Sequence, residues 1–581
     1  MATPVNKLAS VQSFVPTGFD TDAMQKILLE MGVKPTHVRI ALERAQLTGE
    51  TLSTIMRDFG FLSGEQVAQA ISRQTGLRYF SAEEADRIDP ADLKGIKLQT
   101  FRRFVPVGRA ENGTLVVAVP DAAAVNEAKN AFYPQPTTMV VASEHVIQTL
   151  YRKYFANTDQ AFDEAVEEFR RAIKSARSDD EEAGLVRKVF NALLRHACYS
   201  GASDLYLYKS EKVGLIKLKI NGVGQMFRII EGELYDRLLN KLVTEYSKAE
   251  DVRREPRETT INFGDNPPRE VEDIVQRFGF RLELSETREV REAVVRILDR
   301  QSTATDLDRL GFDEHTYHTV RRISQTATGL FLVTGPTGSG KTTTLYALLK
   351  GIDPVERSVQ SIENPIEYRH GLWQQHELRK DSQNEGEEYN KWLKALLRNA
   401  PDVILVGEVR DRGVAQILLD AANTGHLAFS TLHTNSAAMA LARLKALSID
   451  MNTLASVLLG ILAQRLVRVL CPRCRKPDQS EETQDALKRA TYLSGVSHTP
   501  HRAGDGCEYC GYTGYRGRRM IYELLEVTHQ VQELIEKDAS PSTIAREGIK
   551  PDRTMWACGM RLVAAGHTSL EELRRVAKED A

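Results

Sequence analysis

The spacing of apolar residues changes character several times along this chain, and each change predicts a different kind of element. Between residues 20 and 80 apolar positions recur at helical intervals, and a weak repeat shows. ILLEMGVKPTHVRIAL (27–42) is echoed by TIMRDFGFLSGEQVAQAI (54–71). Each copy reads as a helix end, a glycine (Gly32, Gly60) and a second helix, opened near a capping residue such as Ser63. Glycine suits the left-handed position that closes a helix. The copies lie close to 28 residues apart and predict two packed helical hairpins. Residues 85–155 mix short β-type runs, TLVVAV (114–119) and TTMVVAS (137–143), with helical stretches, which predicts a small α/β unit.

Further on, residues 159–182 are rich in charge and poor in large apolar side chains, and read as a linker, partly helical. From 183 to 305 a helix (GLVRKVFNALLRHACYSG) precedes the strands SDLYLYK, GLIKLKING and GQMFRII. The alternation in LIKLKI suits a strand with one wet face. Residues 306–465 alternate strands and helices, 466–520 hold paired cysteines, and 521–581 read as helical, as in SLEELRRVA.

Composition narrows the class. A chain of 581 residues is too long for one core and implies three or four domains. With 42% hydrophobic and 27% charged residues it reads as a soluble globular protein. The net charge of -2 gives no global electrostatic case for a nucleic-acid partner. No uninterrupted apolar run approaches the ~20 residues of a membrane-spanning helix. MATPVNKLASVQSF lacks the basic start and apolar core of a signal peptide. A cytoplasmic chain is expected, with any membrane role peripheral.

The chemistry concentrates in four stretches. GLFLVTGPTGSGKTTTLYALLKG (329–351) is strand, Gly-rich loop, helix. Gly335, Pro336, Thr337, Gly338, Ser339, Gly340, Lys341, Thr342 and Thr343 make a phosphate loop, whose glycines let backbone N–H groups face a nucleotide triphosphate. Lys341 would reach the β- and γ-phosphates and Thr342 would ligate Mg²⁺. In PDVILVGEVRD (401–411) a buried-type strand ends at Glu408, the carboxylate on the Mg²⁺ side. In SIENPIEYRH (361–370) Glu363 and Glu367 flank a proline and would orient or deprotonate the attacking water. In TGHLAFSTLHTN (424–435) His426 and His433 bracket an apolar strand and would sense the γ-phosphate.

Cys471, Cys474, Cys507 and Cys510 form C-x2-C-x32-C-x2-C. In a cytoplasmic chain this pattern reads as a closed, structural Zn²⁺ site before it reads as disulfides. Cys198 and Cys558 stand alone and read as core thiols.

In order and wording the four stretches resemble the type II secretion and type IV pilus assembly ATPases, across residues 183–581. The hairpins and small α/β unit (1–158) look like that family's N-terminal domain. The resemblance implies an α/β architecture: a RecA-like parallel-sheet ATPase domain at 306–465, a smaller α/β domain at 183–305, and a zinc-binding insertion. It implies a homo-hexameric ATPase at the cytoplasmic face of the inner membrane, with ATP between those two domains. Hydrolysis would move a membrane platform protein that extracts and polymerises pilins. By the resemblance Glu367 positions the attacking water, and the histidines couple nucleotide to domain motion. Retraction motors of the family lack both the cysteine knuckle and the long N-terminal region, so an assembly motor is favoured.

The chain departs from the family pattern in places. The usual EDP is Glu363-Asn364-Pro365, the strand before the usual IDG turn carries Lys217 and Lys219 rather than arginines, and Tyr206 replaces a histidine. Lys lacks the fork of Arg. Arg254, Arg281 and Arg296 are therefore the candidates for reaching the phosphates. Some relatives bind cyclic di-GMP through paired hairpins with an RLG start and a terminal Gln. Here Thr51-Leu52-Ser53 replaces RLG, Gln46 is shifted and Gln74 is kept, so a docking module is the favoured reading. The alternatives to a pilus motor are a type II secretion motor, a nucleotide-binding regulator without turnover, and a DNA-transport motor. The last needs a basic, aromatic-studded stripe that the sequence lacks.

Overall fold

The computed structural model describes residues 21–579 apart from 89, 94, 97, 99–102, 156–157, 174–177, 247–256, 265–266, 269, 276, 287–290, 300–305, 379–384 and 494–497. The chain divides into two compact units after Thr303. Among the described residues no helix is long and apolar enough to cross a membrane.

The first unit opens with helices Thr21–Glu30, Pro35–Thr48, Leu52–Asp58 and Gly64–Thr75. Gly32 and Gly60 are left-handed, with φ of 83° and 68°, and Ser63 and Gln66 form a reciprocal capping box. Strands β1 (Val105–Arg109), β2 (Leu115–Val119) and β3 (Thr137–Val141) follow in one sheet, with β2 central. All of β2 is buried because its alternate residues serve two cores: Val116 and Ala118 on one face, Leu115, Val117 and Val119 on the other.

The stretch 159–182, expected as a linker, holds helix Thr158–Ala172 packed against helix Asp179–Tyr199. Phe162, Ala165, Val166 and Phe169 are buried in a shared core. Their spacing is one helical stripe, which the surrounding acidic residues hide in a composition count. β4 (Ala202–Ser210), β5 (Val213–Ile220), β6 (Val223–Glu231), β7 (Arg257–Thr260), β8 (Phe278–Glu286) and β9 (Arg291–Asp299) form an antiparallel sheet ordered β6-β5-β4-β9-β8-β7. Leu205, Leu207, Ile216, Leu218 and Val295 point into the core. Tyr206, Lys217 and Lys219 lie on the other, wetter face.

The second unit contains β10 (Gly329–Thr334), β11 (Val359–Glu363), β12 (Gln374–Glu377), β13 (Val403–Val406), β14 (Leu427–Leu432) and β15 (Leu458–Leu470). The pair β16 (Lys476–Pro477) and β17 (His501–Arg502) and the long β18 (Tyr515–Glu526) complete it. The main sheet runs β12-β11-β13-β14-β10-β15-β18, and every neighbour pair is parallel except β15 with β18. β10, β13 and β14 are buried along their whole length, as strands covered on both faces must be. β18 crosses the boundary drawn at residue 520, so the region expected to be helical starts as a strand. Helices His529–Glu536, Pro541–Gly548, Met555–Ala564 and Leu570–Val576 follow it.

Candidate functional site

In a parallel sheet every strand delivers its C-terminal end to the same edge, and the loops there face one another. The loops after β10, β11, β13 and β14 meet in this way. β10 passes into Gly335, where φ is 150° and an added Cβ would sit 2.3 Å from the Gln464 carbonyl of β15. Only glycine fits so close a backbone approach. Pro336, Thr337 and Gly338 form an exposed crest, Ser339 is buried, and Gly340 caps helix Lys341–Lys350. Thr342 and Thr343 are half-buried in its first turn. First-turn N–H groups and the helix dipole make this end attractive to anions.

Lys341 folds back over the loop, its Nζ donating to Gly335 O at 2.9 Å and Pro336 O at 3.1 Å. Burial pushes its ammonium down to about 8, against the opposing pull of Glu408 and Glu367. Both carboxylates are therefore within electrostatic reach of Lys341. Glu408 follows β13, and its Oε1 lies 3.5 Å from His433 Nε2, which follows β14. Arg410 Nε lies 3.4 Å from the other Glu408 oxygen. Burial lowers the imidazole of His433, and Lys341 lowers it further. Thr334 locks the same edge from within, since its hydroxyl contacts Thr434 Oγ1 at 2.7 Å and accepts from Thr434 N–H at 3.0 Å.

Two residues expected in this cluster stand elsewhere. Glu363 is the last residue of β11, only 3% exposed, and accepts from Tyr346 Oη and Ser361 Oγ, both at 2.6 Å. Burial raises its carboxyl despite these donors. Its side chain is turned into the core beside helix Lys341–Lys350, where it is hydrogen-bonded to Tyr346 of that helix. His426 precedes β14, and its Nδ1 lies 2.9 Å from Ala421 O. The whole length of β14 separates it from His433, on the order of 20 Å. The strand itself prevents both histidines from meeting one phosphate in this unit.

In the first unit Arg281 of β8 and Arg296 of β9 are register partners, and Asp204 of β4 pairs with Arg296 in turn. Arg296 Nε donates to Asp204 Oδ1 at 3.0 Å, and Lys219 Nζ lies 3.9 Å from the same carboxylate. Arg254 lies outside the described residues. Sequence reasoning missed Gln464, Arg410 and Tyr346. A lone Gln inside the apolar run ILAQRLVRVL is the signal that marks Gln464.

The four cysteines of the knuckle converge, with all sulfurs within 4.8 Å of one another. The pairs Cys471–Cys507, Cys474–Cys510 and Cys507–Cys510 are each 3.8 Å apart. A tetrahedron of thiolates at ~2.3 Å from zinc has edges of about 3.8 Å, so the donor set fits that ion. Backbone N–H groups of Cys507 and Gly514 point at Cys510 Sγ from 3.2 and 3.3 Å, as donors to a thiolate do.

A family model described as "Type II/IV secretion system protein" matches residues 179–575. The chain is 34% identical over 486 residues to "Type II secretion system protein E" of Dickeya dadantii, covering 80% of this chain and 93% of that one. It is 29% identical over 553 residues to "Type IV pilus assembly ATPase PilB" of Myxococcus xanthus, covering 92% and 95%. Among solved structures, that of the Legionella pneumophila ATPase DotB covers 67% of this chain and 94% of its own, at 18% identity and a TM-score of 0.47.

Proposed function

Because the chain belongs to the type II/IV secretion system protein family, we propose that this ATPase is a motor that drives assembly of a type IV pilus. The observation that carries the reading is the convergence of Lys341, Glu408 and Glu367 at one sheet edge, with His433 beside Glu408. The loop N–H groups and Lys341 bind the phosphates of ATP. Thr342 and Glu408 would hold Mg²⁺, which neutralises charge developing on the transferred phosphoryl group. Glu367 positions the attacking water and takes its proton. His433, kept neutral, reports the state of the site to β14 through Glu408. Arg281 and Arg296 are the described candidates in the first unit for contacting a phosphate, and Arg254 completes that set.

The motor is a homo-hexamer at the cytoplasmic face of the inner membrane, and it turns a platform protein that extracts and polymerises pilins. Cys471, Cys474, Cys507 and Cys510 hold a structural Zn²⁺. The pilus relative aligns over more of this chain than the secretion relative, which supports the pilus reading. A type II secretion motor, building a pseudopilus for protein export, is the second reading, supported by the higher identity of that relative.

The test is the ATPase rate of the purified chain beside Lys341→Ala and Glu367→Gln. Turnover in the wild type, lost in both variants, is expected. Tight ATP binding without turnover in the wild type would replace the motor by a nucleotide-binding regulator. Deletion of the gene should abolish pili, and loss of protein export with pili intact would select the secretion reading.

A further inference from the structure

We infer that Gln464 is a positioning residue of the phosphate loop: its carboxamide holds the Ser339 carbonyl and thereby aims the Gly340 N–H at the nucleotide phosphates. The inference rests on the ATPase reading above and adds a residue to its site.

The placement follows from unequal strand lengths. β10 ends at Thr334, whose register partner on β15 is Ala463. β15 runs on to Leu470. Gln464 therefore stands where the chain has just left the sheet and become the loop. Gln464 is 1% exposed, and its Nε2 donates to Ser339 O at 2.7 Å. The same Nε2 lies 3.2 Å from the place a Cβ on Gly340 would occupy.

In a trans peptide the C=O and the following N–H point in opposite directions. Drawing the Ser339 carbonyl down onto β15 thus turns the Gly340 N–H away from the sheet, toward the concave side of the loop. That orientation needs an outside tether. Gly340 has φ of 88° and no side chain, so the 339–340 peptide can rotate at little cost. Rotated, it would present the negative end of a carbonyl dipole to the phosphates. Lys341 tethers the other end of the loop through the Gly335 and Pro336 carbonyls. In the proposed mechanism its ammonium leaves them for phosphate, whereas the Gln464 tether stays.

The chemistry of the amide is also specific. Gln464 Oε1 is buried with no hydrogen-bond partner among the described residues. Reversing the amide would set that oxygen against the Ser339 carbonyl, two acceptors face to face, so the donor must be the group on the loop side. A buried carboxamide with one end unsatisfied is costly, and an apolar residue would suit a space-filling role better. The use of Gln here points to the donor.

The test compares the full-length wild type, Gln464→Met and Gln464→Glu by titration with a fluorescent ATP analogue and by steady-state kinetics. Met keeps the length and removes the donor. It should weaken ATP binding and raise KM about tenfold, with a smaller change in kcat. Glu at this buried position should bind weakly at pH 8. Relative to wild type it should recover toward pH 6, because burial raises its pKa and the protonated carboxyl donates again. Gln464→Met should show no such recovery. Wild-type affinity in Gln464→Met, or a Gln464→Glu profile parallel to that of Gln464→Met, overturns the inference. If Gln464→Met does not fold, the presence or absence of pH recovery in Gln464→Glu decides. Failure of the wild type itself to bind ATP overturns the ATPase reading instead.

Discussion

The carboxylate of Glu408 and the imidazole of His433 lie 3.5 Å apart, joining the turns that follow the neighbouring strands β13 and β14. Glu408 is also approached by Arg410 and felt by Lys341. In the proposed mechanism this carboxylate acts on the bound nucleotide and His433 acts through it. Glu408→Gln should lower kcat by about 10²-fold or more. His433→Ala should lower it by about tenfold, the loss of one close polar contact to the Glu408 carboxylate. Equal kcat in wild type and His433→Ala would show that the contact is incidental.

Lys341 carries the pH prediction for binding. Its ammonium stands at about 8 in the free protein because the side chain is buried. Bound phosphates favour the charged form, so their arrival raises that value. Binding of ATP between about pH 8 and 9 should therefore take up a proton, and affinity should fall as pH rises through that range. Calorimetry in buffers of different ionisation enthalpy measures the uptake. Proton release, or none, would contradict the picture.

The contact between Tyr346 and Glu363 tests whether this carboxylate supports the helix Lys341–Lys350 or takes part in the reaction. Tyr346→Phe strips one donor from a buried acceptor and should cost about 1–3 kcal/mol of stability. Glu363→Gln keeps hydrogen-bonding capacity and should retain substantial ATPase activity, whereas Glu367→Gln should not. An inactive but fully folded Glu363→Gln protein would restore Glu363 to the reaction.

Glu572 gives the acid limit of the second unit. Its buried carboxylate accepts from Arg468 Nη2 at 2.7 Å and Arg575 Nε at 2.8 Å. Burial alone would raise its pKa, but these donors together hold it down at about 2. A depressed carboxyl contributes fully above its ordinary value of 4.5, and the contribution disappears as pH falls toward about 2. Glu572→Gln leaves Arg468 without its charge partner and should cost about 3–5 kcal/mol at pH 7. The variant should also lose less stability than wild type on acidification from pH 5 to 2, measured by urea unfolding.

The cysteine cluster predicts one zinc per chain by elemental analysis, lost in Cys471→Ser. Removal of the metal should loosen the segment between β15 and β18, seen as faster hydrogen exchange there. The parallel sheet around β10 should remain protected. Zinc-free protein with an unchanged exchange pattern would contradict a structural metal.

Much of this protein is local, and local features are legible in sequence. The phosphate loop, the strand ending before Glu408 and the paired cysteines are contiguous motifs whose geometry is set within a few residues of chain. The parallel order of strands follows from alternating strands and helices, and its common edge explains why scattered motifs meet. What sequence could not decide is direction. Glu363 and Glu367 are four residues apart in one acidic stretch, yet the pleat at the end of β11 sends the first into the core. His426 and His433 bracket one strand, and the length of that strand parts them. In the helix Thr158–Ala172 the apolar stripe became significant only when a second helix covered it. Gln464 is the clearest case. Nothing near it in the chain concerns phosphate, and it reaches the loop only because β15 outruns β10 in the assembled sheet. Motif chemistry is fixed by neighbours in sequence, whereas burial, reach and partner are fixed by neighbours in space.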